Sequence, residues 1–148
     1  MTELASNKKA FFDYEILDRY EAGIVLFGQE VKSAKTGHAS IKGSFVTLKN
    51  GELYLINADI PPYRHAGDIS GYDSRRSRKL LLKKAEIRHL IGKLKAKGLT
   101  LAPIRMYTRK RLVKLEFAIA RGKKQYDKRE NIKKREDKRK MERNLKNF

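Results

Sequence analysis

Apolar and polar positions along the first 120 residues alternate over short spans, and this pattern predicts a chain dominated by strands. Phe11 to Leu26 reads as two adjoining strands: Tyr14, Ile16 and Tyr20, then Ile24-Val25-Leu26-Phe27 behind Gly23, with the β-branched and aromatic bias that pleated surfaces favour. Between Gly28 and Gly37, residues Gln29 to Lys35 predict a short helix with Val31 and Ala34 on one face and Gly37 as its C-cap. The clearest local signal follows. Phe45 to Lys49 and Glu52 to Ile56 flank Asn50-Gly51, a dipeptide suited to the two positive φ angles of a type I′ turn. That register pairs Leu48 with Leu53 and Val46 with Leu55, placing four aliphatic side chains on one face.

Pro61-Pro62-Tyr63 ends this strand, and Tyr63 to Ser77 forms a long polar loop with a basic cluster, Arg75-Arg76-Ser77-Arg78-Lys79, at its end. Leu80-Leu81-Leu82 re-enters the core at least in part. Lys84 to Lys97 then shows helical spacing, with Ile87, Leu90, Ile91 and Leu94 as the stripe and Gly98 as the stop. Lys83, Lys84, Arg88, Lys93, Lys95 and Lys97 occupy the opposite face. Leu99 to Thr108 and Leu112 to Ala120 read as an antiparallel pair around Arg109-Lys110-Arg111. Val113, Leu115, Phe117 and Ile119 alternate with Lys114, Glu116, Ala118 and Ala120, so one face is expected in the core and the other in water. Pro103 marks an edge or a bulge. The sum is a mainly β fold: a small antiparallel β-barrel, closed or partly open, with flanking helices. The oligonucleotide-binding type is one member of that class.

The last 28 residues break the pattern. Arg121 to Phe148 holds 13 Lys or Arg against 5 Asp or Glu, and a helix built from it is charged nearly all round. Such a segment buries too little surface to offset its ordering entropy, so it is expected to be disordered alone and helical when bound. A merely solvated basic tail is the plainer alternative. The chain divides accordingly into a flexible lead over 1–9, a barrel over 10–120 and a basic tail over 121–148. Net charge is +19 for the whole chain and +11 without the tail, so the barrel itself calls for a polyanionic partner. A membrane is not expected, because the sequence has neither a run of about 18 apolar residues nor a signal-like apolar stretch. The absence of cysteine rules out disulfides and thiolate chemistry and fits a cytoplasmic protein. His38, His65 and His89 are scattered without a second ligand at metal spacing. No glycine-rich phosphate loop or paired carboxylates stand ready for catalysis. Neither enzyme activity nor a metal or cofactor is expected.

Several stretches together resemble one family, the SsrA-binding proteins (small protein B), partners of bacterial transfer-messenger RNA. They are Asn7-Lys8-Lys9-Ala10, Tyr20-Glu21-Ala22-Gly23-Ile24-Val25-Leu26, Gly28 with Glu30-Val31-Lys32-Ser33, Asn50-Gly51-Glu52, Arg78-Lys79-Leu80-Leu81-Leu82, Lys97-Gly98-Leu99-Thr100-Leu101, and Ala120-Arg121-Gly122-Lys123-Lys124 through Tyr126-Asp127-Lys128-Arg129. The resemblance implies an oligonucleotide-binding type of barrel and a role in rescuing stalled ribosomes by trans-translation. The barrel would bind the tRNA-like domain of transfer-messenger RNA and stand in for an anticodon stem. The tail would enter the decoding centre and the empty message channel. Carried over by position, Glu21, Lys32, Leu81, Lys83 and Lys114 would contact that RNA, and Lys123, Lys124, Tyr126, Asp127, Lys128 and Arg129 the small-subunit rRNA. The protein is expected to be a monomer off the ribosome. A structural ribosomal protein, which would share a basic barrel and arm, is the rival reading. The loop Asp73-Ser74-Arg75-Arg76-Ser77 lacks the prolines that the family often carries there, so raised mobility is expected.

Overall fold

The computed structural model describes residues 1–67, 70–96 and 98–122, together with Arg135 and Arg139. Its strands are β1 (Thr2–Ser6), β2 (Tyr14–Ile24), β3 (Phe45–Lys49), β4 (Glu52–Ile56), β5 (Arg78–Leu81), β6 (Leu99–Arg109) and β7 (Leu112–Gly122). Helices α1 (Lys9–Asp13), α2 (Gly28–Lys35) and α3 (Lys84–Leu94) lie between them. All strands join one antiparallel sheet in the order β1-β6-β7-β2-β5-β4-β3. The sheet curls until β3 approaches β6, but among the described residues no hydrogen-bonded ladder closes it, so the barrel is partly open.

The β3–β4 hairpin has the expected register, Val46 opposite Leu55 and Leu48 opposite Leu53, with φ of 53° at Asn50 and 75° at Gly51. Three of its four aliphatic side chains are buried; Leu48 lies near the turn and stays 38% exposed. The inner face of the sheet carries Leu53, Leu55, Leu80, Leu101, Met106, Leu115, Phe117 and Ile119, closed by Ile41, Ile60 and Leu90 of α3. Pro103 sits at a register shift on β6, the bulge its missing N–H suggests.

Four expectations need correction. The polar lead is not without structure: Thr2–Ser6 pairs with the edge of β6, and Asn7 donates its amide to the Ile104 carbonyl at 2.8 Å. Backbone pairing needs no apolar run, and Leu4 and Ala5 supply the modest packing. Secondly, Phe11–Asp13 belongs to a helix, and β2 is one strand with a register shift between Ile16 and Arg19 rather than two strands. Thirdly, the outer face of β7 is not wet throughout. Ala118 and Ala120 are fully buried because α1 packs across that end, with Ala10, Ala102 and Ile104 completing a small second apolar layer.

The fourth correction concerns the basic loop. Arg78 is fully buried, and its guanidinium donates to Glu30 Oε2 from Nη2 at 2.7 Å and from Nε at 2.9 Å. It also donates to the carbonyls of Ala58 at 2.8 Å and Ser74 at 2.9 Å. Arg76 reaches both oxygens of the same carboxylate and covers the Phe27 ring at 4.2 Å, while the Tyr72 hydroxyl lies within hydrogen-bond reach of two acceptors, Glu30 Oε2 and the Ile60 carbonyl. Where the sequence suggests raised mobility, Glu30 therefore clasps the loop to α2. Burial acts to raise the Glu30 pKa, but hydrogen bonds from Arg76, the Phe27 amide and Arg78 outweigh it and hold the carboxyl below its ordinary value.

Candidate nucleic-acid interface

The outer face of the sheet is covered by α1 at one end and open at the other. Cross-strand partners share a face, as do alternate residues on one strand. Pairing therefore sets out two rows at the open end. Tyr107, Lys114, Gly23 and Leu81 run across β6, β7, β2 and β5; Arg105, Glu116 and Glu21 run beside them. Three residues placed by resemblance, Glu21, Leu81 and Lys114, thus come together on one surface.

Each has a physical reason for its pose. Glu21 faces Glu116, and two opposed carboxylates would repel unless each had a cation. Glu116 is held by Arg105 at 3.2 Å and Arg19 at 3.5 Å; Glu21 accepts from Arg109 at 3.1 Å and from the Tyr107 hydroxyl. The Tyr107 bond, opposed by partial burial and aided by Arg109, lowers the Glu21 pKa, so the group stays ionised and purely an acceptor. Burial and Glu21 together push the Tyr107 hydroxyl well above its usual range, keeping it a donor. The Glu21 side chain remains 35% exposed, open to a donor from outside.

Gly23 is flanked by Leu81 on one side and Lys114 on the other. A Cβ there would stand 3.4 Å from Leu81 Cβ and 3.8 Å from Lys114 Nζ, so its absence leaves the floor of a shallow hollow free. That hollow, about 250 Å³, is walled by Val31 of α2, Leu81, Leu112 and Lys114. Leu81 is 53% exposed, a large apolar side chain left in solvent beside a cation. The β6–β7 turn at its rim places Lys110 at φ 49° and Arg111 at φ 67° without a glycine. Each such residue costs about 1–2 kcal/mol, and strain of this kind concentrates at working surfaces.

The remaining expected residues divide. Lys83 follows two residues after Leu81, where its amide donates to the Glu86 carboxylate at 3.3 Å, and it lies exposed at the start of α3. Lys32 is elsewhere: it projects from α2 over the Tyr63 ring, 5.8 Å from the centroid. Lys123, Lys124, Tyr126, Asp127, Lys128 and Arg129 lie outside the described residues. Of the tail, Arg135 stands over the Phe12 ring at 5.2 Å. Sequence reasoning missed Tyr107 and Arg109 as partners of Glu21, and Arg105 as a partner of Glu116. Their alternation on β6 was visible, but only the folded sheet brings them to those carboxylates. Among the described residues no group of three His, Asp or Glu is placed to hold a metal ion, and no helix is long and apolar enough to cross a membrane.

A family model described as SmpB protein matches residues 4–147. The chain belongs to the SmpB family. The SsrA-binding protein of Thermosipho africanus is 53% identical over 147 residues, covering 99% of this chain and 98% of that one. That of Trichodesmium erythraeum is 48% identical over 145 residues, covering 98% and 93%. A solved structure described as "tmRNA-SmpB: a journey to the center of the bacterial ribosome" aligns with a TM-score of 0.67 at 47% identity, over 86% of this chain and 92% of that chain. SmpB relatives are thus named for what they bind, and none of these names describes a reaction.

Proposed function

We propose that this SmpB-family chain is a cytoplasmic, non-enzymatic RNA-binding adaptor for trans-translation. The open outer face binds the tRNA-like domain of transfer-messenger RNA, filling the place of an anticodon stem. The tail enters the decoding centre and empty message channel of a stalled ribosome. The observation that carries this reading is an ionised Glu21, fixed by Tyr107 and Arg109 beside exposed Leu81 and Lys114. Folded RNA is read by shape, phosphates and 2′-hydroxyls, and unpaired bases by stacking and their edges. Lys83 and Lys114 suit phosphates, Glu21 suits a base amino group or 2′-hydroxyl, and Leu81 suits the apolar face of a base or ribose. In this reading residues 10–120 recognise the RNA and residues 121–148 act on the ribosome as a separate part. Lys123, Lys124, Lys128 and Arg129 meet rRNA phosphates, Tyr126 stacks on a base, and Asp127 with Glu130 caps the bound helix.

The test is a titration at about 150 mM salt, where non-specific electrostatic binding is typically micromolar or weaker. Transfer-messenger RNA is compared with an unrelated structured RNA of equal length. Nanomolar affinity for the first and a wide gap to the second are expected. Equal affinities that collapse together with added salt would overturn the reading in favour of a structural ribosomal protein.

A further inference from the structure

The separation of Lys32 from the Glu21 surface points to a second contact. Pro61, Pro62, Tyr63, Arg64 and His65 turn beneath α2 and enclose, with Ser33, Thr36 and His38, a hollow of about 260 Å³. Its apolar walls are the two prolines and the Tyr63 ring, against whose edge His65 packs at 5.5 Å and 72°. Cations frame it: Lys32 over Tyr63, and exposed Arg64. Among the described residues no carboxylate lines it.

The turn is held in place. Ser33 Oγ donates to the Pro61 carbonyl at 2.6 Å, and the Tyr63 amide donates to Gln29 Oε1 at 2.9 Å. The prolines fix φ at two consecutive positions. Thr36 Oγ1 engages His38 Nδ1 at 2.9 Å, which leaves Nε2 for an outside group. Pinning of this kind lowers the ordering cost of binding. The hollow is smaller than the roughly 300–1,000 Å³ that encloses a drug-sized ligand, so it suits a single ring system. An aromatic wall, a polar rim and flanking cations together match a nucleotide: the base stacks, its edge meets His38, and its phosphates meet Lys32 and Arg64.

We infer that the Pro61–His65 hollow receives one unpaired RNA base, making it a second RNA contact distinct from the Glu21 surface. Helix α2 stands between the two: Val31 faces the Leu81 hollow, while Ser33 and Thr36 face this one. Lys32, between those faces, can follow a strand from one to the other. The inference rests on the RNA-binding reading above. The nucleotide could belong to transfer-messenger RNA or to small-subunit rRNA, and the chemistry is the same.

The full chain and its Tyr63→Leu, Tyr63→Phe and Lys32→Ala variants are titrated separately with transfer-messenger RNA and with small ribosomal subunits. Tyr63→Leu is expected to weaken binding to one of the two by roughly 5- to 100-fold, the loss of one stacked base. Tyr63→Phe should restore it, and the salt slope should not change. Lys32→Ala should instead flatten the slope with that same RNA by about 0.7–0.9. The RNA that responds identifies the source. A Tyr63→Leu chain that folds and binds both RNAs like the unaltered protein would overturn the inference. Should Tyr63→Leu misfold, 4-thiouridine crosslinking on the unaltered chain decides: adducts on Tyr63 or His65 support the pocket, and their absence refutes it. Weak, unselective binding by the unaltered chain would be a failure of the RNA-binding reading itself, so the two failures are separable.

Discussion

Replacing Glu30 by Gln removes the charge that holds the loop from Ala58 to Arg78 against α2, and the consequence can be worked from the contacts. The carboxylate accepts from the Phe27 amide at 2.8 Å, from Arg78 at 2.7 and 2.9 Å, from Tyr72 at 3.0 Å and from Arg76. In Glu30→Gln one oxygen becomes a donor facing guanidinium donors, while Arg78 stays buried and charged. Removing one partner of a buried pair costs about 3–5 kcal/mol. The carbonyls of Ala58 and Ser74 still accept from Arg78, which favours the lower end. For a folded unit of this size the loss corresponds to a drop in Tm of roughly 10–20 °C. Thermal unfolding followed by far-UV circular dichroism measures it. Glu30→Met combined with Arg78→Met, which removes both charges, should be less damaging than Glu30→Gln alone. The sign with pH follows from the lowered Glu30 pKa. Its contribution is present above the unfolded-state value of about 4.3 and fades as pH falls through the lower folded value. The gap between the two proteins should therefore narrow in acid. A Tm within about 3 °C of the unaltered protein, or a gap unchanged down into strong acid, would refute the argument.

Three other outcomes are expected. Glu21→Ala should weaken the transfer-messenger RNA complex by roughly 10- to 100-fold while raising net positive charge; tighter binding in the titration would show that bulk electrostatics governs. Lys110→Asn with Arg111→Gly relieves two left-handed residues and should stabilise the fold by about 1–2 kcal/mol in urea denaturation while lowering RNA affinity by removing two cations. Deleting Tyr126 to Phe148 should leave RNA binding nearly intact yet abolish tagging of stalled chains in a reconstituted translation assay; joint loss would contradict the division between barrel and tail.

The elements legible in the sequence are those whose cause is local. Asn50-Gly51 between alternating strands specifies a turn and a register within a dozen residues, and the structure has both. Likewise β7 is announced by the alternation of Val113, Leu115, Phe117 and Ile119 with Lys114, Glu116, Ala118 and Ala120. What stayed hidden depends on distant partners. Arg78 reads as one more surface cation until Glu30, 48 residues away, is beside it. Backbone ladders to β2 and β4 likewise turn an apparent loop end into β5. Thr2–Ser6 has little hydrophobic signal because an existing strand edge does the organising. The same limit applies to the site. Glu21, Leu81 and Lys114 come to attention through family resemblance, but only the register shows that they form one surface, and only the folded chain shows Lys32 over Tyr63 instead.

The basic surface is also less uniform than a net charge of +19 suggests. The carboxylates nearest the working surfaces bind arginines: Glu30 takes Arg76 and Arg78, Glu116 takes Arg19 and Arg105, and Glu21 takes Arg109. The planar fork of guanidinium suits such pairing better than an ammonium does. Lys32, Lys83 and Lys114 make no ion pair among the described residues, so they remain available to phosphate. Affinity and specificity should consequently separate by residue type. A lysine that neutralises one phosphate contributes a counterion-release increment, so Lys114→Ala should flatten the plot of log affinity against log salt by about 0.7–0.9. Glu21 neutralises no phosphate, so Glu21→Ala should lower affinity for the cognate RNA at every salt concentration without changing that slope. A flattened slope for Glu21→Ala, or an unchanged one for Lys114→Ala, would mean that the acid shapes the electrostatic field and the lysine reads the RNA, the reverse of the assignment made from their contacts.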